Sequence, residues 1–308
     1  DEKMNPTNIR EEADASTQEK TINEIFTGIM IADNEFLKKG LKGLVRNNKA
    51  GEYYLTDLVE YASKRKLPIG STEAKELEVF GANNKKELEG LYNAMVALNI
   101  DAAKKKGTFF KDTSTCYVEG VLKVGKDVSI GNNVTIKGNV VLGNDVSIGS
   151  NVILSNTKIG SNSTIKEFCS IEDSKISENV EVGPFARLRN GAVLDNSAKI
   201  GNFVEVKKSR IGQNAKANHH AYIGDAEIGK KSNIGAGTIT CNYDGENKHK
   251  TKIGDSVFIG SNSSLVAPLK VGKKSYVAAG SVVTSDVPAG SLAFGRAKQK
   301  NKTNWKKK

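Results

Sequence analysis

The sequence predicts a mainly β protein whose larger part is a parallel β-helix. Two observations carry this prediction: an aliphatic residue returns every six positions from Val124 onward, and Gly, Asn, Asp and Ser fill many of the positions between. A six-residue unit suits one short strand and a turn, with the aliphatic residue inward and small or polar residues at the corners. Three units make one triangular turn, and the series predicts about nine stacked rungs. Its members are Val124, Ile130, Ile136, Leu142, Ile148, Leu154, Ile159, Ile165, Ile171, Ile176, Val182, Leu188, Leu194, Ile200, Val206, Ile211, Ala217, Ile223, Ile228, Ile234, Thr240, Ile253, Ile259, Leu265, Val271, Val277 and Val283.

The chain before the repeat has a different pattern. The stretch TINEIFTGIMIA predicts a strand, and NEFLKKGLKGLV, YYLTDLVEYASKRK and NKKELEGLYNAMVAL predict three helices. We therefore divide the chain into a segment over 1–100, a β-helix over 108–295 and a basic tail over 296–308. Small residues two positions before some aliphatics, such as Cys169 and Ala198, fit a narrow interior.

Composition limits the classes of partner. The net charge is +11, but no basic stripe is interleaved with aromatic residues, so we expect no nucleic acid and leave anionic small substrates open. The three cysteines form no CxxC pair, which predicts reduced thiols in a cytoplasmic protein. No apolar run approaches the roughly 20 residues of a membrane span, and no N-terminal stretch has the basic-then-apolar pattern of a signal peptide, so we expect no membrane insertion.

Stacking the repeat in threes aligns four residues. His219 is two positions after Ala217, and Ala236, Ser261 and Ala279 hold the same position on the next three rungs. Small residues are common at corners, but a histidine below three of them is what an extended ligand with its reactive end at His219 would require. We refer to these four residues as the His219 column.

A second alignment is basic. Arg189 and Lys207 each follow an aliphatic residue by one position and lie one rung apart. Like charges at that spacing repel unless an anion or a carboxylate lies between them, so the pair indicates either a phosphate site or two solvated cations near Glu205.

The repeat is interrupted once, in TCNYDGENKHKTK, by roughly seven extra residues between Thr240 and Ile253. Such an excursion is either a functional loop or a plain surface hairpin. Asn242, Tyr243 and Lys248 are the polar residues that could face a ligand.

Several motifs together resemble one family. They are similar to motifs of the bifunctional bacterial N-acetylglucosamine-1-phosphate uridylyltransferase/glucosamine-1-phosphate acetyltransferases. The motifs are GPFARLR, GNFVEVKKSRIG, HxxYIGDAEIG beginning at His219 and containing Tyr222, NIGAGTITCNYDG, NKHKT, SLVAPLKVG and GRAKQKNKTNW. The resemblance covers nearly all of 108–305. It implies a left-handed β-helix, a homotrimer, and acetyl transfer from acetyl-CoA to the amine of glucosamine 1-phosphate in UDP-N-acetylglucosamine biosynthesis for cell-wall precursors.

The resemblance also implies site residues. His219 is the implied general base. The implied sugar-phosphate contacts are Arg189, Lys207, Tyr222 and Asn233, and the implied acetyl-CoA contacts are Ala236, Asn242, Tyr243, Ser261, Ala279 and Arg296. The chain departs from the family pattern at His220, where the family has an apolar residue, and at Ala221, where it has a hydroxyl residue.

A weaker resemblance extends over 1–100, to the last part of the uridylyltransferase domain. Glu11 falls on a nucleotide-sugar position and Asn83 on a metal position, which implies Mg²⁺ only for that half, if it is complete. Phe26 stands where the family has Asn, and a phenylalanine cannot donate a hydrogen bond to the sugar. The glycine-rich nucleotide loop is not in these 308 residues, so we expect no uridylyl transfer by this chain.

Acetyl transfer to an amine needs a base that works near neutral pH, and His219 fits that role. We expect direct attack on acetyl-CoA, a backbone N–H near Ala236 as oxyanion donor, and Glu205 as the group that orients the imidazole. Two alternatives stay open: a zinc hydratase using His219, His220 and His249, and a purely structural or binding solenoid. Because the column is an open shelf, we also expect a neighbouring chain of the trimer to lend part of the wall that binds CoA, from the 240–253 excursion or the tail.

Overall fold

The computed structural model describes residues 5–303 and residue 305, except for the side chains of residues 76 and 77. The chain forms two compact units, Asp1–Leu91 and Tyr92–Lys308. The helices are a short 3-10 turn at Glu19–Thr21, then α1 (Asn34–Leu41), α2 (Asp57–Lys64), α3 (Glu76–Val79) and α4 (Lys85–Lys104), followed by a second 3-10 turn at Thr113–Thr115.

The three predicted helices are confirmed as α1, α2 and α4. The carboxylate of Asp33 accepts the N–H of Phe36 at 2.9 Å and so fixes where α1 begins. A β-carbon at Gly40 would lie 2.6 Å from Cδ2 of Leu58, so glycine is what allows the fully buried Leu58 of α2 to pack against α1.

The predicted strand at TINEIFTGIMIA is wrong. After the turn at Glu19–Thr21 this stretch has no regular secondary structure and no ladder pairing, and Ile22, Ile25, Ile29 and Ile31 are exposed. A strand needs a partner strand for its backbone groups, and the described part of the first unit contains none.

The second unit is a parallel β-helix, which confirms the predicted fold class. Its strands are β1 (Phe109–Phe110), β2 (Tyr117–Val124), β3 (Ser129–Ile130), β4 (Thr135–Leu142), β5 (Ser147–Ile148), β6 (Ile153–Ser155), β7 (Lys158–Ile159), β8 (Thr164–Ile165), β9 (Ser170–Glu172), β10 (Lys175–Ile176), β11 (Glu181–Val182), β12 (Arg187–Arg189), β13 (Val193–Leu194), β14 (Lys199–Lys207), β15 (Arg210–Ile211), β16 (Lys216–Gly224), β17 (Ala226–Ile228), β18 (Asn233–Ile234), β19 (Ile239–Cys241), β20 (Thr251–Ile253), β21 (Phe258–Ile259), β22 (Ser264–Val266), β23 (Leu269–Val271), β24 (Tyr276–Val277), β25 (Val282–Val283) and β26 (Leu292–Ala293).

Each strand pairs in parallel with strands one turn of the coil away, so the strands stack into three walls. The first wall is β1, β3, β5, β8, β11, β14, β16, β18, β21, β24 and β26, which is more rungs than the sequence predicted because the coil begins before Val124 and continues past Val283. The second wall begins with β2 and includes β12, the later halves of β14 and β16, and β19. Strands β14 and β16 therefore run through the corner between the first and second walls.

The hydrophobic core is the column of inward residues that the six-residue period predicted. Every member of that series is buried except Val124, which is half-buried. Cys169 and Ala198, the small residues expected beside them, are also buried. Corner residues such as Asn133, Asn151 and Asn214 take positive φ, which asparagine tolerates better than most residues. None of the helices in the described part of the chain is long and apolar enough to cross a membrane.

Candidate active site

His219 lies on β16 with its ring held by the rung below. Strand register places it directly above Asn202 of β14, and its Nδ1 lies 2.7 Å from Asn202 Oδ1. A β-carbon at Gly201 would overlap the carbonyl oxygen of Asn218, so only glycine allows the two rungs to approach so closely at this point. The sequence therefore builds the contact through Gly201, which brings the Asn202 side chain beneath the imidazole.

Glu205, the group expected to orient His219, has another partner. Its Oε1 accepts the Nε–H of Arg189 at 2.6 Å, in an ion pair that is largely shielded from solvent. The expectation that Glu205 orients His219 is wrong, because the Glu205 carboxylate is bonded to Arg189 on the rung below. Asn202 was missed, although the seventeen-residue step that aligns Ile200 with Ala217 also aligns Asn202 with His219.

The His219 column is aligned as the repeat arithmetic predicted. Ala217, Ile234, Ile259 and Val277 are successive partners on the first wall, so His219, Ala236, Ser261 and Ala279 follow them at the same offset. Gly235 N–H donates to Ile259 O and Gly237 N–H donates to His220 O. The N–H of the half-buried Ala236 between them, one rung above His219, takes no part in this ladder among the described residues.

Three cations converge on the second wall. Arg189 and Lys207 are direct partners across β12 and β14, and Lys248 of the 240–253 excursion approaches Lys207 from above. The nearby ammonium of Lys248 is the main cause that lowers the pKa of Lys207, with partial burial and Arg189 adding to it and Asp225 opposing it. We refer to these three residues as the cation cluster.

Two lysines on the first wall, two rungs apart, show like charges neutralised by a carboxylate on the rung between them. Lys166 and Lys199 both bond the carboxylate of Glu181, at 2.8 Å for Lys199 Nζ, and these cations lower the pKa of Glu181. Among the residues that the structure describes, no carboxylate bonds both Lys207 and Lys248 in this way, although Asp225 attracts Lys207. Like charges at this spacing repel, and an anion placed between them would remove the repulsion.

Tyr222 lies beside the cation cluster. It pairs with Glu205 in the strand register, and its ring crosses the outer face of Gly224, where a β-carbon would collide with the phenol. Gly224 is in turn the partner of Lys207, so Tyr222 and the cations share one patch of the second wall. Asn233 lies elsewhere, on the first wall above Lys216, and is separated from Tyr222 by the corner that carries His219.

The excursion is a hairpin anchored at both ends by one residue. The buried Asp225 accepts the amide of Asn242 at 2.5 Å, and its carbonyl accepts the N–H of Thr251 at 3.2 Å. Asn242 is itself buried, so its side chain holds the hairpin rather than facing solvent. At the tip, Asp244 accepts the N–H groups of Glu246 and Asn247 and bonds His249.

The remaining hairpin and tail residues lie at the surface. Tyr243 is 59% exposed and its hydroxyl donates to the carbonyl of Gly245. Arg296 lies at the upper end of the His219 column, because a β-carbon at Gly280, next to Ala279, would be 3.8 Å from its Cδ. The tail thus reaches the column of its own chain at this residue.

Glu11, Phe26 and Asn83 belong to the other compact unit. Glu11 accepts the hydroxyl of Thr56 at 3.2 Å. The backbone N–H of Asn83 donates at 2.7 Å to Glu87, a carboxylate that also bonds Asn84 at the start of α4. These groups do not by themselves offer the octahedral oxygen set that Mg²⁺ requires.

The histidines do not assemble a zinc site in the structure. His219 bonds Asn202, His249 bonds Asp244 at 2.6 Å on the hairpin, and His220 is exposed at a corner with φ of 42°. Among residues 5–303 and 305, no three His, Cys, Asp or Glu side chains gather as a metal cluster.

Two family models match parts of the chain. Residues 113–201 match the GMPPB C-terminal domain, and residues 250–285 match the bacterial transferase hexapeptide (six repeats). Among solved structures, the Arabidopsis UDP-N-acetylglucosamine acyltransferase aligns with a TM-score of 0.51 and 20% identity, over 59% of this chain and 70% of that one. This likeness, with the hexapeptide match, supports the left-handed β-helix as the fold.

Sequence relatives cover nearly the whole chain. The bifunctional protein GlmU of Acinetobacter baylyi is 49% identical over 300 residues, which are 97% of this chain and 66% of the relative. The bifunctional protein GlmU of Idiomarina loihiensis is 46% identical over 307 residues, 99% of this chain and 67% of the relative. The chain thus spans about two thirds of the length of these relatives. At this identity over this share of both sequences, the chain belongs to the family of the bifunctional GlmU proteins.

Proposed function

We propose that the chain transfers the acetyl group of acetyl-CoA to the amine of glucosamine 1-phosphate, giving N-acetylglucosamine 1-phosphate for UDP-N-acetylglucosamine biosynthesis. One observation carries the proposal: an imidazole with one nitrogen already bonded lies at the foot of a column of small residues, and a cation cluster without a full set of counter-charges lies on the adjoining wall. The column fits a long thioester, and the cluster fits a sugar phosphate.

In the proposed reaction the amine lone pair attacks the thioester carbonyl carbon. His219 accepts the proton that the nitrogen loses, and the carbonyl oxygen gains negative charge, for which the free N–H of Ala236 one rung above is a fixed donor. The C–S bond then breaks, and the CoA thiolate takes up the proton held by His219. No serine or cysteine stands beside His219, which favours direct transfer without an acetyl-enzyme.

The cation cluster is proposed to bind the phosphate. Arg189 donates its Nε–H to Glu205, which leaves the other guanidinium N–H groups for a ligand. Lys207 and Lys248 contribute two ammonium groups. Tyr222 lies on the same patch and Asn233 lies across the corner, so we assign both to the sugar.

Acetyl-CoA is proposed to lie along the His219 column. Ala236, Ser261 and Ala279 leave space against the wall, Tyr243 offers an exposed ring, and Arg296 at the upper end suits a phosphate of CoA. Because the side chain of Asn242 is engaged with Asp225, we assign its role to holding the hairpin at the site.

We propose that the working assembly is a homotrimer. Three phenylalanines on successive rungs, Phe168, Phe185 and Phe203, stack at 4.8 and 5.3 Å and remain 46–57% exposed. Each takes a positive φ, a conformation that bulky residues adopt only at a cost. Phe203 is next to Asn202, so a second copy covering this phenylalanine ladder would also close the open side of the His219 column.

The remaining assignments also stand as proposals. We assign 1–100 to the end of a uridylyltransferase-like domain, whose activity and Mg²⁺ dependence fall outside the acetyl-transfer reaction. A reducing, cytoplasmic location suits the three free thiols, of which burial raises the pKa of Cys169 to about 11.

The proposal is tested by following CoA release from acetyl-CoA in the presence of three sugar phosphates. Glucosamine 1-phosphate should support release, its 4-epimer should support less, and glucose 1-phosphate, which has no amine, should support none. Release that does not depend on an added amino sugar would contradict the proposal.

A further inference from the structure

We propose that Asn202 is the positioning residue of His219: its Oδ1 accepts the Nδ1–H of the imidazole and so leaves Nε2 as the nitrogen that takes the proton of the substrate amine. The inference rests on the proposed function for its role in a reaction, but the hydrogen bond itself is a property of the free protein.

The contact is built into the fold of the corner. His219 is exposed, so no packing from its own rung holds the ring, whereas Asn202 beneath it is half-buried and is fixed by strand pairing. The close approach at Gly201 sets the spacing, and the Nδ1–Oδ1 distance of 2.7 Å is that of a good hydrogen bond.

The hydrogen bond selects one tautomer. A neutral imidazole carries a proton on one nitrogen only, and the amide oxygen of Asn202 accepts but cannot donate. The proton therefore resides on Nδ1 and the lone pair on Nε2. If the amide group faced the ring instead, its N–H would bond the Nδ1 lone pair and leave Nε2 protonated, and Nε2 could not then act as a base.

The neutrality of the amide also matters. A carboxylate at 2.7 Å would favour the charged imidazolium, and an imidazolium cannot accept a proton. Of the charged groups on the paired strands, Glu205 is bound to Arg189, while Lys199, Lys207 and Lys216 are cations. His220 and Tyr222 are the other titratable residues on these two strands. An amide thus orients the base without holding it in its protonated form.

The first test is Asn202→Leu, which keeps the side-chain size and removes the acceptor. We expect kcat to fall by about 10- to 100-fold, the order of effect of a misplaced group, with KM for both substrates unchanged. Asn196→Leu is the matched control, because Asn196 also bridges two rungs, to the N–H of Glu178, in the same coil but away from the column. It should keep the wild-type kcat.

The second readout needs no turnover. With ¹⁵N-histidine labelling, only three histidines give signals, and their ring nitrogen shifts report which nitrogen carries the proton. Wild-type His219 should be the Nδ1–H tautomer, and Asn202→Leu should show a mixture. An Nε2–H tautomer in the wild type, or identical shifts in the variant, would overturn the proposal.

The third variant, Asn202→Asp, keeps the acceptor and adds a charge, so it remains informative if the leucine variant does not fold. The acid limb of its pH–rate profile and the His219 titration followed by NMR should both move to higher pH, by about 1–3 units. Superimposable titrations would overturn the proposal. If the wild type released no CoA at all, the proposed function would fail, while the tautomer and titration results would still decide the role of Asn202.

Discussion

Lys248 reaches Lys207 from a hairpin that the repeat did not require, and the two ammonium groups lie close enough to depress the pKa of Lys207. Repulsion of this kind is tolerated where a bound anion removes it. The cation cluster is therefore the part of the site whose energetics depend most on the ligand.

We predict that Lys248→Met raises KM for glucosamine 1-phosphate by about 10- to 100-fold, the loss expected for one charged hydrogen bond, and leaves kcat nearly unchanged. Lys250→Met is the control, because Lys250 lies two residues along the same hairpin strand and approaches Glu227 at 3.8 Å instead. Steady-state kinetics on both variants decide the matter. Equal KM values for the two variants would mean that Lys248 does not bind the phosphate.

Much of the site could be predicted at this scale from vertical alignment alone. The step of the repeat predicts the alignment of the His219 column and of the Arg189–Lys207 pair, and the strand register reproduces both. The sequence analysis did not predict Asn202, because a carboxylate is the stronger partner for an imidazole and Glu205 lies on the same strand. Glu205 instead forms an ion pair with Arg189. Whether a carboxylate bonds a histidine or a nearby arginine depends on the side-chain conformations, which the spacing of residues in the sequence does not determine.

The hairpin between β19 and β20 is held by a single buried carboxylate. Asp225 has a positive φ, accepts the Asn242 amide, and presents its carbonyl to Thr251 where the chain rejoins the coil. The position of Lys248 and Tyr243 therefore depends on Asp225.

We predict that Asp225→Gly, which keeps the backbone conformation but removes the acceptor, destabilises the hairpin by about 1–3 kcal/mol, because the buried Asn242 amide is left unpaired. Amide hydrogen exchange of His249, whose N–H donates to Asn242 O at 2.8 Å, should accelerate, and KM for the sugar phosphate should rise. Asp225→Asn retains an acceptor and should stay close to the wild type. Unchanged exchange in Asp225→Gly would show that other contacts hold the hairpin.

Elements were predictable where their period was strong. The six-residue repeat gave the inward column almost residue by residue, and the amphipathic stretches gave α1, α2 and α4. The stretch TINEIFTGIMIA failed because alternating apolar residues indicate a strand only if another strand is present to pair with it, and pairing is not a local property.

At the scale of the whole molecule, the phenylalanine ladder is unusual because it places bulky aromatic residues at corner positions with positive φ. Elsewhere in the coil these positions are mostly Asn, Asp, Lys or Ser. Ring stacking recovers part of the strain but leaves about half of each ring in water. Burial by neighbouring chains would complete the stabilisation.

We predict that replacing Phe185 and Phe203 together by Ser converts a trimer into smaller species and reduces acetyl transfer in parallel, because the column then stays open to water. Sedimentation equilibrium gives the mass. Phe109→Ser is the control, since Phe109 is also exposed but lies in β1, on the first rung of the coil and several rungs away from the ladder. A double variant that remains trimeric and active would place the assembly surface elsewhere.

The role of His219 as the base for acetyl transfer is tested most directly by a single turnover. Protein saturated with acetyl-CoA is mixed with glucosamine 1-phosphate, and N-acetylglucosamine 1-phosphate is quantified by mass. We expect the wild type to form the product without an acetyl-enzyme, His219→Ala to bind acetyl-CoA normally but react about 10²–10⁴-fold more slowly, and His220→Ala to react at nearly the wild-type rate. Wild-type chemistry in His219→Ala, or a larger loss in His220→Ala, would contradict the assignment.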